Sequence, residues 1–454
     1  MNNEYKYAIE IMNILSEYGE IFMIGGCVRD HIMGIKSHDI DLCTNIPMEK
    51  IESLFETIDI GKNKDFGIVV VKYKEYTYEI ANYRQDSVYS DGRHPDNVTL
   101  VTEMWKDVAR RDLTINAIAM DKDNKIIDII DGKKDIDNKI IRTVGNAENR
   151  FGEDYLRMLR TIRFSSRFKF KIEQFTYDAI KNSARGILNI SMERITQELY
   201  KMAEQSGEQF ADSIMLLNDT GLLEYILPEI EIMNSYPHNI EHHPEGNVYD
   251  HTLAALRCNK IKDPITNLAI LFHDVGKPVS YEIKDDTDFI DDIRHTYNLH
   301  HSKGRDVIEK IANRMKFKMD DLNKFKFVIY NHMKYHNIYQ MSNSKIYNLI
   351  TDKDFDLLEQ VAQCDSLSKG IELNPVYVKA RIEKIKHVRE FYISKNKKDP
   401  IKEVVNGKYV MELLNIKTGP LIGKVLKSTI EYILDNNINI KDTTTIEKYI
   451  LNYK

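Results

Sequence analysis

Two hydrophobic periods divide the chain. In His38-Asp39-Ile40-Asp41-Leu42 polar and apolar residues alternate, which predicts a strand. That strand would carry Asp39 and Asp41 on one face, about 6.6 Å apart, and turn Ile40 and Leu42 to a core. Residues 67–73 and 76–83 are rich in β-branched and aromatic residues, and Asp91-Gly92 and Asp131-Gly132 supply turns. Residues 1–142 therefore read as an α/β head, a mixed sheet with helices. From Glu153 onward the period is helical, with few glycines and only Pro228 and Pro237 before Pro244-Glu245-Gly246. The rest reads as all-α: a neck over 143–240, a helical domain over 241–370 and a helical tail over 371–454. A lysine-rich stretch from Lys395 to Pro400 sets the tail apart.

Composition narrows the class without naming the chemistry. The chain has 454 residues, 42% of them hydrophobic, enough for about three domains with cores of their own. Cys27, Cys43, Cys258 and Cys364 lack paired spacing, which suits reduced thiols in a cytoplasm and not a disulfide framework or a cysteine zinc site. The sequence has no basic-then-apolar leader pattern and no apolar run of membrane-spanning length, so a cytoplasmic protein without a membrane partner is expected. A net charge of −6 averages over a local exception. Residues 157–171 hold six cations and no acid, with Phe164, Phe168 and Phe170 interleaved. Such a run is either a solvated helix face or a surface that tracks phosphates; beside the head, the second is expected, with Arg160 and Arg163 as nucleotide contacts and Arg167 and Lys169 as RNA contacts.

The head's candidate chemistry begins at Gly25-Gly26, a turn that lets backbone N–H groups approach a triphosphate. With Asp39 and Asp41 downstream, the pattern outlines a nucleotidyl-transfer site: two carboxylates to hold Mg²⁺, and an in-line displacement by a hydroxyl with two metal ions. Glu79 alternates correctly to be a third carboxylate, although an exposed strand glutamate is an equally ordinary reading. Arg110-Arg111-Asp112 with Asn116 gives phosphate-gripping guanidiniums and a polar pair for a ribose, or equally a salt-bridged helix start.

Glu153-Asp154-Tyr155-Leu156-Arg157 opens the helical region. On one helix Asp154 and Arg157 would lie three apart on a face, an acceptor beside a donor. Cytosine and adenine both offer an amino donor next to a ring-nitrogen acceptor. Uracil and guanine present the opposite polarity and would leave groups unpaired at about 1–3 kcal/mol each. The plain alternative is a surface ion pair. Further on, His251, His273-Asp274, His300-His301, His332 and Asp365 are spread over successive helices, a donor set suited to a divalent metal in a helical bundle.

These residues resemble the class II tRNA nucleotidyltransferases, the CCA-adding enzymes and their bacterial poly(A) polymerase relatives. Gly25-Gly26-Cys27-Val28-Arg29-Asp30 with Asp39 and Asp41 is similar to the family's catalytic motif. Arg110-Arg111-Asp112 with Asn116-Ala117 is similar to its ribose motif, and Glu153-Asp154 with Arg157 to its nucleotide template. Ser191 to Glu198 is similar to a helical motif that supports the template. The resemblance implies a nucleotidyltransferase head, CTP and ATP as substrates, and a neck, body and tail that hold the acceptor arm of tRNA. Residues 86–95 resemble a flexible loop present in full CCA-adding and A-adding enzymes, which disfavours C-only addition; A-only addition and poly(A) synthesis use nearly the same motifs. Leu113, Ile118 and Tyr155 stand where the family more often has Phe, Met and Pro. Leu271-Phe272-His273-Asp274-Val275-Gly276-Lys277 resembles the HD phosphohydrolases. That likeness implies His251, His273, Asp274 and Asp365 as metal ligands, His300 (or His301) and His332 for a second ion or for phosphate contact, Lys277 near a phosphate, and action on phosphate esters including 2′,3′-cyclic phosphates. A different class of answer makes this HD chemistry the main activity and the head an RNA-binding module. The tail's Gly407-Lys408 and Gly419-Pro420 to Lys424 suit backbone contact with RNA phosphates, or a plain helical turn. No feature of the sequence sets an oligomeric state.

Overall fold

The computed structural model describes residues 3–37, 39–59, 67–86, 98–238, 243–285, 293–370, 375–392 and 400–453. The expected loop beyond Asp86, His38 and most of the Lys395–Pro400 stretch lie outside the described residues. The chain forms two compact units: Met1–Ile232 with Lys262–Pro264 and Asn313–Lys316, and the remainder.

In the first unit, α1 (Asn3–Leu15) precedes a seven-stranded mixed sheet. Its strands are β1 (Ile21–Ile24), β2 (Asp41–Thr44), β3 (Glu56–Ile58), β4 (Ile68–Tyr73), β5 (Tyr76–Asn82), and, after a separate two-stranded ribbon of β6 (Arg84–Asp86) and β7 (Val98–Leu100), β8 (Ala119–Met120) and β9 (Ile126–Ile127). The order across the sheet is β3-β4-β5-β2-β1-β8-β9. Helix α2 (Gly26–Ile32) follows β1, α3 (Met48–Leu54) follows β2, and α4 (Met104–Ala109) precedes the Arg110-Arg111-Asp112 turn. Alternation along the strands builds a core on each face. Met23, Leu42, Val69, Val71, Tyr78 and Ile80 pack with Ala8, Ile11, Met12 and Leu15 of α1. Their neighbours Ile24, Cys43 and Tyr83 turn to the other face with Val108 and Ala119. Each Val, Leu, Ile or Met side chain so removed from water stabilises the head by about 1.5–3 kcal/mol. The strand expected to begin before Asp39 begins at Asp41; Asp39 precedes it in irregular backbone.

Helices follow. After α5 (Gly132–Asp137) come α6 (Ala147–Glu153) and α7 (Leu156–Phe168), then α8 (Gln174–Ser183), α9 (Met192–Ala203), α10 (Gly207–Asp219), α11 (Leu222–Ile226) and α12 (Pro228–Glu231). A short parallel ladder joins β10 (Ile140–Ile141) to β11 (Lys171–Ile172). The Glu153–Arg157 stretch is not one helix. Asp154 is extended at φ −152°, ψ 103° and ends α6, and α7 starts two residues later. Tyr155 makes this corner against the glycine of the turn at residues 184–189: a Cβ on Gly186 would run into the Tyr155 ring.

In the second unit, α13 (Val248–Cys258), α14 (Pro264–Phe272), α15 (His300–Met315), α16 (Met319–His336), α17 (Asn343–Ile350) and α18 (Phe355–Ser368) form the bundle. An antiparallel hairpin interrupts the expected all-helical run, β12 (Tyr281–Asp285) against β13 (Ile293–Tyr297). Its residues alternate in period two, a signal the helical surroundings overshadowed. One core carries Leu358 and Ala362 of α18 together with Val388, Val410, Val425, Ile433 and Ile450 of the tail.

Candidate active site and metal centre

The head site is assembled by sheet register. Parallel pairing of β2 with β5 sets Asp41 opposite Glu79, so carboxylates from two strands share one face, with Asp39 just ahead of β2. Burial pushes the Asp41 carboxyl up to about 6, and the neighbouring charges of Asp39 and Glu79 add to the shift. Burial likewise raises Glu79, again with Asp39 behind it. Three acids whose charges oppose one another form a site that favours a divalent cation. Gly25 caps α2 at φ +87°, a conformation that strains any residue with a Cβ, and lies against Arg111.

The arginines of the head are already engaged. Asp107, almost fully buried, takes Arg110 at 2.7 Å on one oxygen and Arg111 at 3.2 Å on the other. Arg29, expected at the nucleotide, is buried instead. Its guanidinium donates to Asp30 at 2.7 Å and to Asn116 at 2.5 Å, and lies over Phe164 and Phe168. It therefore holds Asn116 in place from behind. Asp112 accepts from Arg160 at 2.7 Å and from Asn116 at 3.3 Å. Although burial opposes it, the Arg160 guanidinium brings the Asp112 carboxyl down to about 2.

The same holds along α7, where the expected phosphate-tracking face is largely neutralised. Arg157 donates to Glu153 and to the carbonyls of Arg150 and Arg110. Arg163, 7% exposed, pairs with buried Glu198 at 2.7 Å. Phe164 and Phe170 are in the core rather than offered to bases. Toward the end of α7, Arg167 lies over Phe168, and Lys169 pairs with exposed Glu208 at 3.1 Å. Asp154 and Arg157 do not pair with each other. Asp154 receives both arms of Arg194, at 2.7 and 3.2 Å, so the extended corner leaves its carboxylate oriented by α9. In the tail, Lys408 sits at the start of helix Gly407–Leu414, and Lys424 lies in helix Pro420–Asp435, whose first residue is the proline after Gly419. Both lysines are exposed.

The second unit brings its histidines and aspartates to one point. His251 comes from α13, His273-Asp274 from the end of α14, His300 from the start of α15, His332 from α16 and Asp365 from α18. Close backbone approach makes this possible: a Cβ on Gly276 would strike the carbonyl of His300 and the backbone of Gly304. Two sets form, His251-His273-Asp365 and Asp274-His300-His332, each with ligand atoms within 4.8 Å of one another. Asp274 joins them. One of its oxygens is 3.2 Å from His273 Nε2, the other 3.5 and 3.6 Å from Nε2 of His300 and His332. His301 is not part of either set.

The ring orientations fit metal ligands. Nδ1 of His273, His300 and His332 each faces the carbonyl three residues earlier, at 2.7, 2.9 and 2.8 Å. His251 Nδ1 faces Glu245 at 2.6 Å. With Nδ1–H so committed, Nε2 carries the lone pair inward. The buried Nε2 atoms of His251 and His273 lie 3.1 Å from Asp365 and 3.2 Å from Asp274 without the alignment of a hydrogen bond. Burial lowers His300 to about 4 and also lowers His332, keeping both imidazoles neutral. Lys277 reaches Asp274 at 2.6 Å, and a cavity of about 190 Å³ opens over Asp274, His300, His332 and Asp365.

Sequence reasoning missed several members: Asp107, Glu245, His336, which meets Asp365 at 2.6 Å, and the pair His238 and His243. A signal existed for the last two and Glu245 in the run of histidines and acids from His238 to Glu245.

Comparison with known families agrees with both halves. Residues 21–142 match the Poly A polymerase head domain, residues 169–233 the probable RNA and SrmB-binding site of polymerase A, and residues 248–370 the HD domain. The chain is 42% identical over 225 residues to the CCA-adding enzyme of Ligilactobacillus salivarius, covering 49% of this chain and 55% of that one. It is 43% identical over 200 residues to that of Staphylococcus aureus, covering 44% and 50%. The chain thus spans about half the length of the curated relatives it matches. Among solved structures, a Bacillus stearothermophilus CCA-adding enzyme in complex with CTP superposes with a TM-score of 0.72 at 24% identity, over 99% of this chain and 98% of the other. A Thermotoga maritima CCA-adding enzyme complexed with tRNA gives 0.60 at 19% identity, over 99% and 94%. These likenesses are of fold.

Proposed function

We propose that this chain is a class II tRNA nucleotidyltransferase of the poly(A) polymerase kind with an HD domain, and that it adds CCA to tRNA 3′ ends from CTP and ATP. The observation that carries the reading is the register of Asp41 with Glu79 on paired strands, Asp39 beside them, at a glycine turn. Asp39 and Asp41 would hold Mg²⁺, which when bound makes the 3′-hydroxyl a better nucleophile and screens the triphosphate. Glu79 supports the same face as a third carboxylate. The N–H groups at Gly25 and Gly26 and the Arg111 guanidinium face the phosphates, and Asp112 with Asn116 face the ribose. Asp154 accepts from the amino group of C or A while Arg157 donates to the neighbouring ring nitrogen. Arg29, Arg160 and Arg163 act from behind, holding Asn116, Asp112 and the template helices in position. Acceptor-arm phosphates would meet the cations at the end of α7 and in the tail, Arg167, Lys169, Lys408 and Lys424. Four segments then share the work: head 1–142, neck 143–240, HD domain 241–370 and tail 371–454.

A second activity rests on a separate observation, the bridging of two histidine sets by Asp274. His251, His273, Asp274 and Asp365 would hold one divalent ion and Asp274, His300 and His332 another, and such ions polarise a phosphate ester and supply hydroxide. Lys277 at the cavity suits the substrate phosphate, which makes a phosphohydrolase acting on phosphomonoesters or 2′,3′-cyclic phosphates the matching chemistry.

The test uses purified protein, Mg²⁺ and three tRNA transcripts ending at the discriminator base, at C and at CC, with CTP and ATP given singly and together. Completion of all three to CCA and no further is expected. Extension of only the CC-ended transcript by one A would replace the reading with A-addition, and long A tails with poly(A) synthesis.

A further inference from the structure

Beside the two histidine sets lies a third group to which neither activity assigns an ion: His238, His243 and Glu245. Their ligand atoms are within 4.8 Å of one another. The two imidazoles stack with centroids 3.9 Å apart at 30°. Glu245 is the hub. One of its oxygens receives Nδ1 of both His243, at 2.8 Å, and His251, at 2.6 Å. That commits His243 Nδ1–H and leaves its Nε2 with a free lone pair. The other oxygen, Oε2, is buried and has no hydrogen-bond partner; nor has Nδ1 of His238, a residue 9% exposed. A buried carboxylate oxygen without a donor is a favourable place for a cation. On the far side of His238, Nε2 faces the Lys277 ammonium at 3.0 Å, and that ammonium also touches Asp274 at 2.6 Å. Lys277 thus already places a positive charge against this ring, and Asp274 can keep it if a metal takes its place.

We propose that His238, His243 and Glu245 form a third divalent-metal site, next to the two-ion centre and coupled to it through Glu245. The proposal rests on the metal reading of the HD centre and extends it. Two imidazoles and one carboxylate, with positions left open, are a donor set for Zn²⁺ rather than Mg²⁺. His238 and His243 line the same 190 Å³ cavity as Asp274, His300 and His332. A metal here would therefore face the substrate of the HD centre and take a phosphate oxygen of it. Glu245 has a second effect in either state, since it fixes the ring of His251 and so the Nε2 that His251 presents.

Zinc content after chelation, reloading with ZnCl₂ alone and gel filtration tests this on the full chain, in an Asp41→Asn background that removes the head's ligand. Three zinc ions per chain are expected, falling to two in His243→Ala and in His238→Ala, while His273→Ala loses at least one of the other ions. Circular dichroism and melting of each variant establish that it is folded. Should His243→Ala fail to fold, His243→Gln, which keeps the side-chain bulk, gives the same readout. Two ions in the parent and two in His243→Ala would overturn the third site alone. No stoichiometric zinc in the parent would overturn the third site together with the HD metal reading.

Discussion

Asp112 ties the head to α7 through Arg160 and holds Asn116 beside it. Its carboxyl is at about 2 in the folded chain against an ordinary 3.8, because Arg160 overrides burial. A depressed carboxylate contributes stability above its unfolded value, and that contribution is lost as the pH falls from about 4 to about 2. Asp112→Asn should therefore cost about 2 kcal/mol at pH 7. In urea melts the gap between variant and parent should close as pH drops below 4; a gap independent of pH would show that packing, not charge, is lost. Arg194 is the other telling residue. It takes both oxygens of Asp154, so Arg194→Ala should leave the fold intact but loosen the acceptor proposed to select the base. Incorporation of UTP and GTP relative to CTP and ATP is the readout, and an increase of about 10–100-fold is expected from a lost polar discrimination of 1–3 kcal/mol. Unchanged discrimination would remove Asp154 from the template role. Tyr155, where the family more often has Pro, shows how a departure is absorbed: its ring fills the space over Gly186 and makes the same chain corner that a proline would favour.

Elements place these residues through close approaches that periodicity does not report. The corner between α6 and α7 turns Asp154 from a helix face to an extended link, so the three-residue spacing to Arg157 ceased to describe a shared face. The basic run on α7 met acids from Asp112, Glu153 and Glu198, contributed by segments up to 48 residues away. Composition cannot show such pairing. In the second unit, the contact of Gly276 with the start of α15 brings His300 to Asp274. Gly276→Ala should separate these elements. Loss of divalent-metal binding by the HD unit, a melting temperature lowered by several degrees and nucleotide addition retained by the head are expected; calorimetry with Mn²⁺ and the tRNA extension assay read them out. Full retention of metal would mean that α15 can shift without moving His300. The hairpin at β12 and β13, hidden within helical surroundings, shows the converse: local alternation prevailed where the longer trend pointed to helix.

At the scale of the whole molecule, each unit has its own core and its own cluster of chemistry. On that basis Asp41→Ala should abolish nucleotide incorporation while phosphate-ester hydrolysis survives, and His273→Ala should do the reverse. Both activities measured on both variants check this, and loss of both in either one would defeat two independent sites. Among the described residues no helix is long and apolar enough to cross a membrane. By itself the sequence determined the α/β head, the mostly helical remainder, the resemblance to a family and the short motifs whose members are neighbours along the chain. Alternation is a local property, and it survives folding wherever the chain keeps the strand or helix geometry that its period assumes. Only the tertiary structure decided which charges are free. It set Glu79 opposite Asp41 by strand register, buried Arg29 under two phenylalanines, gave Asp154 to Arg194 and drew His238, His243 and Glu245 to the edge of the candidate metal centre. Those outcomes depend on partners distant in sequence, whose approach is fixed by packing against the core and by the few glycines that permit two backbones to meet.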